Sequence, residues 1–229
     1  MSTEVRMMFS SIARRYDVTN EVLSFGIHRL WRRTAVKLSD AAPGQAVLDC
    51  ATGTGDLALA FKRRVGERGR VLGTDFCAEM LEAAPLKAQR EGLEVDFEVA
   101  DALALPYPTA TFDVASISFG IRNVDDPVKC LKEMARVVKP GGRVIVLEFG
   151  KPSGFFGAMF RFYSRVVMPN VGGLLTGNRA AYEYLPQTSA RFPCGDPFLA
   201  LMDASGAYGQ RTAHPLTFGT AWVYRGIVA

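Results

Sequence analysis

The segment Val47-Leu48-Asp49-Cys50-Ala51-Thr52-Gly53-Thr54-Gly55-Asp56 decides the fold. A short apolar run ends in a loop with glycine at alternate positions, and a helical pattern over Gly55–Val65 follows. Glycine lets a backbone turn sharply and leaves no Cβ in the way of a ligand. A strand that feeds a helix through such a loop is the opening unit of an open α/β sheet, and ligands of such sheets sit at the carboxyl ends of the strands.

Outward from that loop the rhythm persists. Strand patterns over Gln45–Ala51, Arg70–Asp75, Glu94–Asp101, Phe112–Phe119 and Arg143–Phe149 alternate with helical ones over Gly55–Val65, Cys77–Glu91 and Pro127–Val138. Pro85 must kink or interrupt the second helix. Strands that alternate with helices predict an α/β fold with a mostly parallel sheet covered on both faces. Two more strands, Tyr208–Thr217 and Thr220–Val228, lie close in sequence around Phe218-Gly219 and predict an antiparallel pair at the end of the sheet. The chain therefore reads as one domain: an N-terminal helical lid over 1–43, a core over 44–150, a helical cap over 151–207 and final strands over 208–229.

The 229 residues are 48% hydrophobic, enough to build a core, so disorder is excluded as the main state. No uncharged run approaches the roughly 20 apolar residues that span a bilayer. The N-terminus has no apolar signal-peptide segment, and the four cysteines form no C-x-x-C pair, so free thiols in the cytoplasm are expected. With only two histidines, a metal site is not expected. Charge is unevenly spread: residues 1–40 carry net +3, 41–150 net −3, 151–192 net +4 and 193–229 none. The two basic segments are also rich in aromatic residues. Solvated surface charge is one reading of them; transient contact with anionic headgroups on the inner face of a membrane, or with an acidic partner, is the other. Nothing groups the basic residues on a nucleic-acid-binding element.

The loop narrows the ligand. Gly53-x-Gly55-x-x-Ala58 fits a dinucleotide fingerprint, Asp75 ends the next strand where a carboxylate can accept ribose hydroxyls, and Asp101 ends the third strand within reach of an adenine. A nicotinamide-dependent oxidoreductase is thus one candidate. Against it, Asp49 lies four residues before the first glycine, where an acid repels a pyrophosphate and attracts an ammonium or a sulfonium.

At this point the residues resemble a known family. LDCATGTGD, GTDFCAEML, ADALALPYPTATFDVASISFGIRNVDD and LKEMARVVKPGGRVIVLEF look like the successive motifs of a class I S-adenosylmethionine-dependent methyltransferase. More narrowly they resemble the UbiE/MenG family, which C-methylates polyprenyl quinols. Phe9–Ala13, Tyr16-Asp17, Asn20 and Gly26–Arg32 are similar to its N-terminal segment, and Ala181–Leu185 and Phe192-Pro193 to its later aromatic segment.

The resemblance implies a Rossmann-like seven-stranded sheet and a cofactor site drawn from Asp49, Gly53, Thr54, Gly55, Ala58, Asp75, Phe76, Asp101, Ala102 and Ser118. Ala58 departs from the family's frequent Thr, so a hydroxyl is missing there. The implied substrate is demethylmenaquinol or a methoxy-polyprenylbenzoquinol, the methyl donor S-adenosylmethionine, and the by-product S-adenosylhomocysteine, without a metal. A homodimer is compatible with the reading.

A quinol carbon is nucleophilic when its ring carries a phenolate, so the site needs a group that favours the ionised hydroxyl. Arg122, with a permanent charge at the ligand edge of the sheet, is the candidate, and a water it holds could remove the proton. An ion pair with Asp125 or Asp126 is the alternative use of Arg122. Asn123 could orient the ring. Tyr16, Asp17 and His28 of the lid are second-rank candidates, Tyr182 and Tyr184 could stack on the ring, and Glu148 falls on the substrate side. Competing functions are a class I methyltransferase for another lipid or small molecule, the nicotinamide reductase, and a non-catalytic chain with a vestigial site.

Overall fold

In the computed structural model, which describes residues 3–229, the glycine loop lies at the centre of a seven-stranded sheet. Three helices come first: α1 (Thr3–Ile12), α2 (Tyr16–Ser24) and α3 (Ile27–Leu38). Then follow β1 (Ala46–Cys50), α4 (Asp56–Val65), β2 (Arg70–Asp75), the short α5 (Ala78–Leu81) and α6 (Ala84–Arg90), β3 (Asp96–Val99), β4 (Phe112–Ser118), α7 (Pro127–Val137) and β5 (Val138–Phe149). The cap holds α8 (Gly154–Phe162), a π-helical turn over Tyr163–Val167, α9 (Met168–Thr176) and α10 (Arg179–Arg191). The chain closes with α11 (Asp196–Ser205), β6 (Tyr208–Leu216) and β7 (Ala221–Val228).

The strand order is β3-β2-β1-β4-β5-β7-β6. Every neighbouring pair is parallel except those of β7, which runs antiparallel to both β5 and β6. The predicted antiparallel pair is therefore present, and its second strand also closes onto the parallel sheet. The order reverses between β1 and β4, which opens a crevice at their carboxyl ends.

Side-chain alternation explains why both faces are covered. Val47 of β1 and Ile145 and Leu147 of β5 join Trp31, Ala35, Leu57, Ala58 and Phe61 on one face. Leu48, Val144 and Val146 join Leu131, Met134, Phe198 and Met202 on the other. A period of two in a strand buried on both sides gives continuous apolar runs. Each fully buried side chain of this size contributes about 1.5–3 kcal/mol. The N-terminal segment is consequently divided in use: α3 belongs to the core layer, while α1 and α2 join α9 and α10 around Ile12, Leu23, Met168, Ala181 and Tyr182. Lid and cap are thus one helical assembly.

Three predicted boundaries shift. The 77–91 helix is two helices, broken before Pro85, which takes the first turn of α6. β3 is shorter than Glu94–Asp101. β5 begins at Val138, because its pairing with β4 continues across a register jump between Phe112 and Val114, where Gly141 takes φ 74°. Among the described residues no helix is long and apolar enough to cross a membrane, and no group of three or more His, Cys, Asp or Glu is placed to hold a metal.

Candidate active site

Two cavities meet at the carboxyl edge of the sheet. The smaller one is lined by Gly53 of the glycine loop, by Asp75 and Phe76 after β2, by Asp101 and Ala102 after β3, and by Ser118 and Asn123 after β4. Phe9 of α1 and Tyr16 of α2 close it from the lid. The sequence thus supplied six of its lining residues from the cofactor set and two, Tyr16 and Asn123, from the catalytic set.

Asp75 anchors this cavity. Its Oδ2 accepts the Gly53 amide at 2.9 Å and its Oδ1 accepts the Cys77 amide at 2.9 Å. Burial pushes its carboxyl up, against the pull of the Cys77, Gly53 and Phe76 amides. Each oxygen keeps a second lone pair, so a ribose diol can be accepted. Asp101 accepts the Leu103 amide at 2.9 Å, which fixes the turn after β3 at the cavity wall. Gly120 must lack a side chain, since a Cβ there would fall 2.5 Å from that of Ala51.

The chemistry of this lining selects its ligand. It contains two carboxylates and no Lys, Arg or His. A pyrophosphate would meet only like charge, whereas an adenosine that carries ammonium and sulfonium groups meets complementary charge. S-adenosylmethionine fits, and the nicotinamide reading does not.

Four residues expected at the cofactor lie behind the cavity instead. Asp49 is 1% exposed; its oxygens accept Ser116 Oγ and Thr52 Oγ1, both at 2.6 Å. Asp49 stands opposite Ser116 in the β1–β4 register, which turns it across the sheet. Burial raises its carboxyl to about 6, with the two hydroxyls pulling it back. Asp49 does not line the cavity. Ala58 faces the core between α3, α4 and the sheet, so the missing hydroxyl leaves no gap in the cavity wall. Gly55, at φ 85°, lets the chain enter α4 where a Cβ would press to 3.0 Å on Ala84 and Phe97. Thr54 donates to Asp17 Oδ1 at 2.6 Å.

That last bond relocates Asp17. Lys87 Nζ lies 2.6 Å from Asp17 and 2.5 Å from Asp56, and Arg32 lies 2.7 Å from Asp56. Burial pushes the Asp56 carboxyl up, yet Arg32 and Lys87 together hold it below its ordinary range. This chain of charges fastens α2 and α3 to the glycine loop and to α6. Asp17 lines neither cavity, so its expected catalytic place is corrected to a latch. Its partners are scattered through the sequence, and no spacing signals them.

The larger cavity, about 400 Å3, is almost wholly apolar. It lies among α2, α3, α8, α9 and α10, with Phe25, Trp31, Phe149, Met159, Tyr163 and Tyr182 on its walls. Tyr16 and Phe119 line both cavities and form the partition between them. Phe119 takes φ 54°, a left-handed conformation that costs a non-glycine residue of order 1 kcal/mol, and its ring lies 4.4 Å from that of Phe149. Sequence reasoning missed Phe119 as a wall; its place between Ser118 and the Gly120–Asn123 turn was the available signal.

Arg122 and Asn123 are consecutive on a 3-10 turn, Ile121–Asn123, so one faces the larger cavity and the other the smaller. An ion pair does hold Arg122, and its acid is Glu148 from β5 at 2.7 Å, both side chains almost fully buried. Asp126 instead caps α7 by accepting the Lys129 amide at 2.9 Å. Arg122 also donates to the Phe119 carbonyl at 2.6 Å and lies 5.2 Å over the Phe149 ring. Its Nε has no hydrogen-bond partner. Tyr16 is pushed up by burial, while Asn20, Arg32 and Arg122 draw it down. His28 lines the larger cavity, is bonded to Ser24 Oγ through Nδ1, and is lowered by burial, which keeps it neutral at neutral pH. Tyr184 donates to Asn123 Oδ1 at 3.2 Å and lines neither cavity, whereas Tyr182 faces the larger one.

A doubly wound sheet in this order, with an acid-lined adenosine cavity at its switch point, defines a class I S-adenosylmethionine-dependent methyltransferase. The chain belongs to the ubiE/COQ5 methyltransferase family, which matches residues 1–228. It is 57% identical over 225 residues to the ubiquinone/menaquinone biosynthesis C-methyltransferase UbiE of Bdellovibrio bacteriovorus, covering 98% of this chain and 95% of that one. It is 48% identical over 220 residues to the demethylmenaquinone methyltransferase of Thermus thermophilus, covering 96% and 99%. Among solved structures it resembles a methyltransferase of Thermotoga maritima, described as a possible histamine N-methyltransferase (TM-score 0.67, 22% identity, 96% and 98% covered). It also resembles one of Aquifex aeolicus (TM-score 0.65, 20% identity, 86% and 89% covered). At these identities the structural likeness speaks for the fold.

Proposed function

We propose that this enzyme C-methylates the ring of a polyprenyl quinol: demethylmenaquinol, after the name of its Thermus relative, and the methoxy-polyprenylbenzoquinol that the family resemblance implies. The observation that carries the reading is the partition: an apolar cavity with Arg122 and Arg32 on its wall abuts an acid-lined cavity through Tyr16 and Phe119.

S-adenosylmethionine, when bound, supplies an electrophilic methyl on a sulfonium. The protein's part is to present the ring. The aromatic walls Trp31, Phe119 and Phe149 hold a flat substrate, and the remaining apolar length takes its tail. Arg122 lowers the pKa of a ring hydroxyl beside it, and Glu148 fixes the guanidinium so that no reorganisation is needed as charge develops. In the transfer the ring carbon would bond to that methyl as the sulfur–methyl bond broke, and the ring proton would leave to water beside Arg122. Asn123, steadied by Tyr184, orients the reacting edge, and Tyr16 excludes water from the junction. Asp75, Asp101, Ala102, Phe76, Gly53 and Ser118 hold the donor. The enzyme works from the cytoplasm on a substrate that resides in the membrane.

The test is mass-spectrometric detection of methyl transfer from S-adenosylmethionine to demethylmenaquinone and to the methoxybenzoquinone, each with and without dithionite. Product only in the reduced samples is expected. No product from either acceptor, with S-adenosylhomocysteine still bound, discards the quinol assignment.

A further inference from the structure

The mouth of the larger cavity is surrounded by aromatic side chains that folding leaves outside. Phe25 is 84% exposed, Phe155 87% and Phe218 80%. Phe25 lines the cavity itself, Phe155 adjoins the lining residue Phe156, and the Phe218 ring lies 5.1 Å from that of Phe156. Ile27 of α3 and Met159 of α8, both lining residues and both exposed, extend the same rim. Exposed apolar residues scattered singly need no explanation, but several around one opening do.

Backbone conformation adds an independent observation. Phe25 has φ 50° and Phe218 φ 55°, both in the left-handed region that favours glycine. Strain of that kind persists when something else benefits from it. Each ring packs one side on a single aromatic neighbour, Phe25 on Tyr163 and Phe218 on Phe156, and leaves most of its surface exposed. The strained turns at the end of α2 and between β6 and β7 hold aromatic rings outward beside the cavity.

The surrounding charge selects the partner. Between Glu148 and Glu183 there is no acid, while Lys151, Arg161 and Arg165 are basic and exposed; Arg179 is paired with Glu183. The acid-free segment carries Phe155, Phe156 and Met159 of the rim, and the one acid beside Phe25, Glu21, is paired with Arg29, so the rim complements an anionic bilayer surface, with rings at headgroup depth and cations against phosphates. Two copies meeting through this face would oppose like charges.

We propose that this rim is a membrane-docking surface: Phe25, Phe155 and Phe218 insert among the headgroups of anionic phospholipids, and the cavity mouth then opens onto the bilayer. The proposal rests on the quinol reading in one respect, that a polyprenyl tail needs such an entrance. Docking itself needs no substrate.

The test uses the full chain and co-sedimentation with phosphatidylcholine vesicles, with and without phosphatidylglycerol, at low and high salt. Wild type is expected to bind the anionic vesicles at low salt and to release as salt rises. The double variant Phe155→Ser, Phe218→Ser is expected to bind at least ~10-fold more weakly. Neither residue lines a cavity, so the variant is expected to match wild type in turnover of a water-soluble quinol with a truncated tail. No binding of wild type to anionic vesicles at low salt overturns the proposal, as does equal binding by the variant. A wild-type dimer that the variant abolishes, with vesicle binding unchanged, assigns the rim to a second copy and overturns it too. If vesicle binding behaves as expected and the soluble quinol is not methylated, the substrate reading fails and the docking surface stands.

Discussion

The two cavities share Tyr16 and Phe119 and otherwise have opposite origins. The smaller one is made by the sheet: its residues follow the carboxyl ends of β1, β2, β3 and β4, and carboxylates and backbone amides set its chemistry. The larger one is made by helices outside the sheet rhythm, from α2 and α3 on one side and α8 to α10 on the other. Its chemistry is mostly apolar, and Arg122, His28 and Arg32 are its basic residues. The first cavity is what a methyl donor requires of any acceptor's enzyme. On the proposed reading the second is where acceptor choice lies, and the buried Arg122–Glu148 pair supplies its charge.

The sharpest way to break that division is at Arg122. Arg122→Ala is expected to lower kcat by at least ~10²-fold with little change in S-adenosylhomocysteine affinity. It also leaves Glu148 buried without its cation, at a cost of about 3–5 kcal/mol, so the melting temperature falls as well. The double variant Arg122→Met, Glu148→Gln separates the two effects: thermal stability returns, and turnover does not. Near-normal turnover in either variant removes Arg122 from the mechanism.

Asp75 is the reciprocal break. Asp75→Ala removes the acceptor of two loop amides and of the ribose, and S-adenosylhomocysteine affinity is expected to fall about 10–100-fold by calorimetry. Quinol KM changes less. An unchanged dissociation constant refutes this placement of the donor.

Legibility follows the same division. Strand ends carry their residues to predictable places, so Gly53, Asp75, Asp101, Ser118 and Arg122 could be read one by one from the chain. The sequence does not say on which side of a loop a side chain falls. Asp49 and Ala58 border the glycine loop in sequence and lie behind it in space, one turned across to Ser116 and the other into the core. Glu148 could be placed near the substrate side, but its pairing with Arg122 arises from adjacency of β4 and β5. The latch was invisible for a further reason: Asp17, Arg32, Asp56 and Lys87 come from four helices and share no period.

The latch joins the two cavities, and Lys87→Met tests it. The variant leaves Asp17 and Asp56 without their shared cation, and partial exposure of all three limits the loss to about 1–2 kcal/mol. Because α2 carries Tyr16, a loosened latch is expected to raise KM for donor and acceptor together, with faster proteolysis of the first two helices. Lys87→Arg should restore most of both. A change in KM for one substrate alone contradicts a shared hinge.

The smallest expected effect concerns Asp49, which touches neither substrate. Its carboxyl titrates near 6 in the folded chain, against about 3.9 in an unfolded one. The folded state therefore keeps this proton between those values after the unfolded state has lost it. Stability contributed by the group is present below about 4 and is lost as pH rises toward 6. Donor binding runs the other way, because only the ionised carboxylate attracts a cation through the loop. Affinity for S-adenosylmethionine is expected to weaken several-fold, roughly ~3–10-fold, as pH drops from neutral through 6. S-adenosylhomocysteine, which lacks the sulfonium, should show a shallower dependence. Asp75 also titrates upward through burial, so the assignment needs Asp49→Asn, which keeps an acceptor for Thr52 or Ser116 and removes the charge. If that variant retains the wild-type slope for S-adenosylmethionine, the slope belongs to Asp75, and Asp49 serves the loop alone.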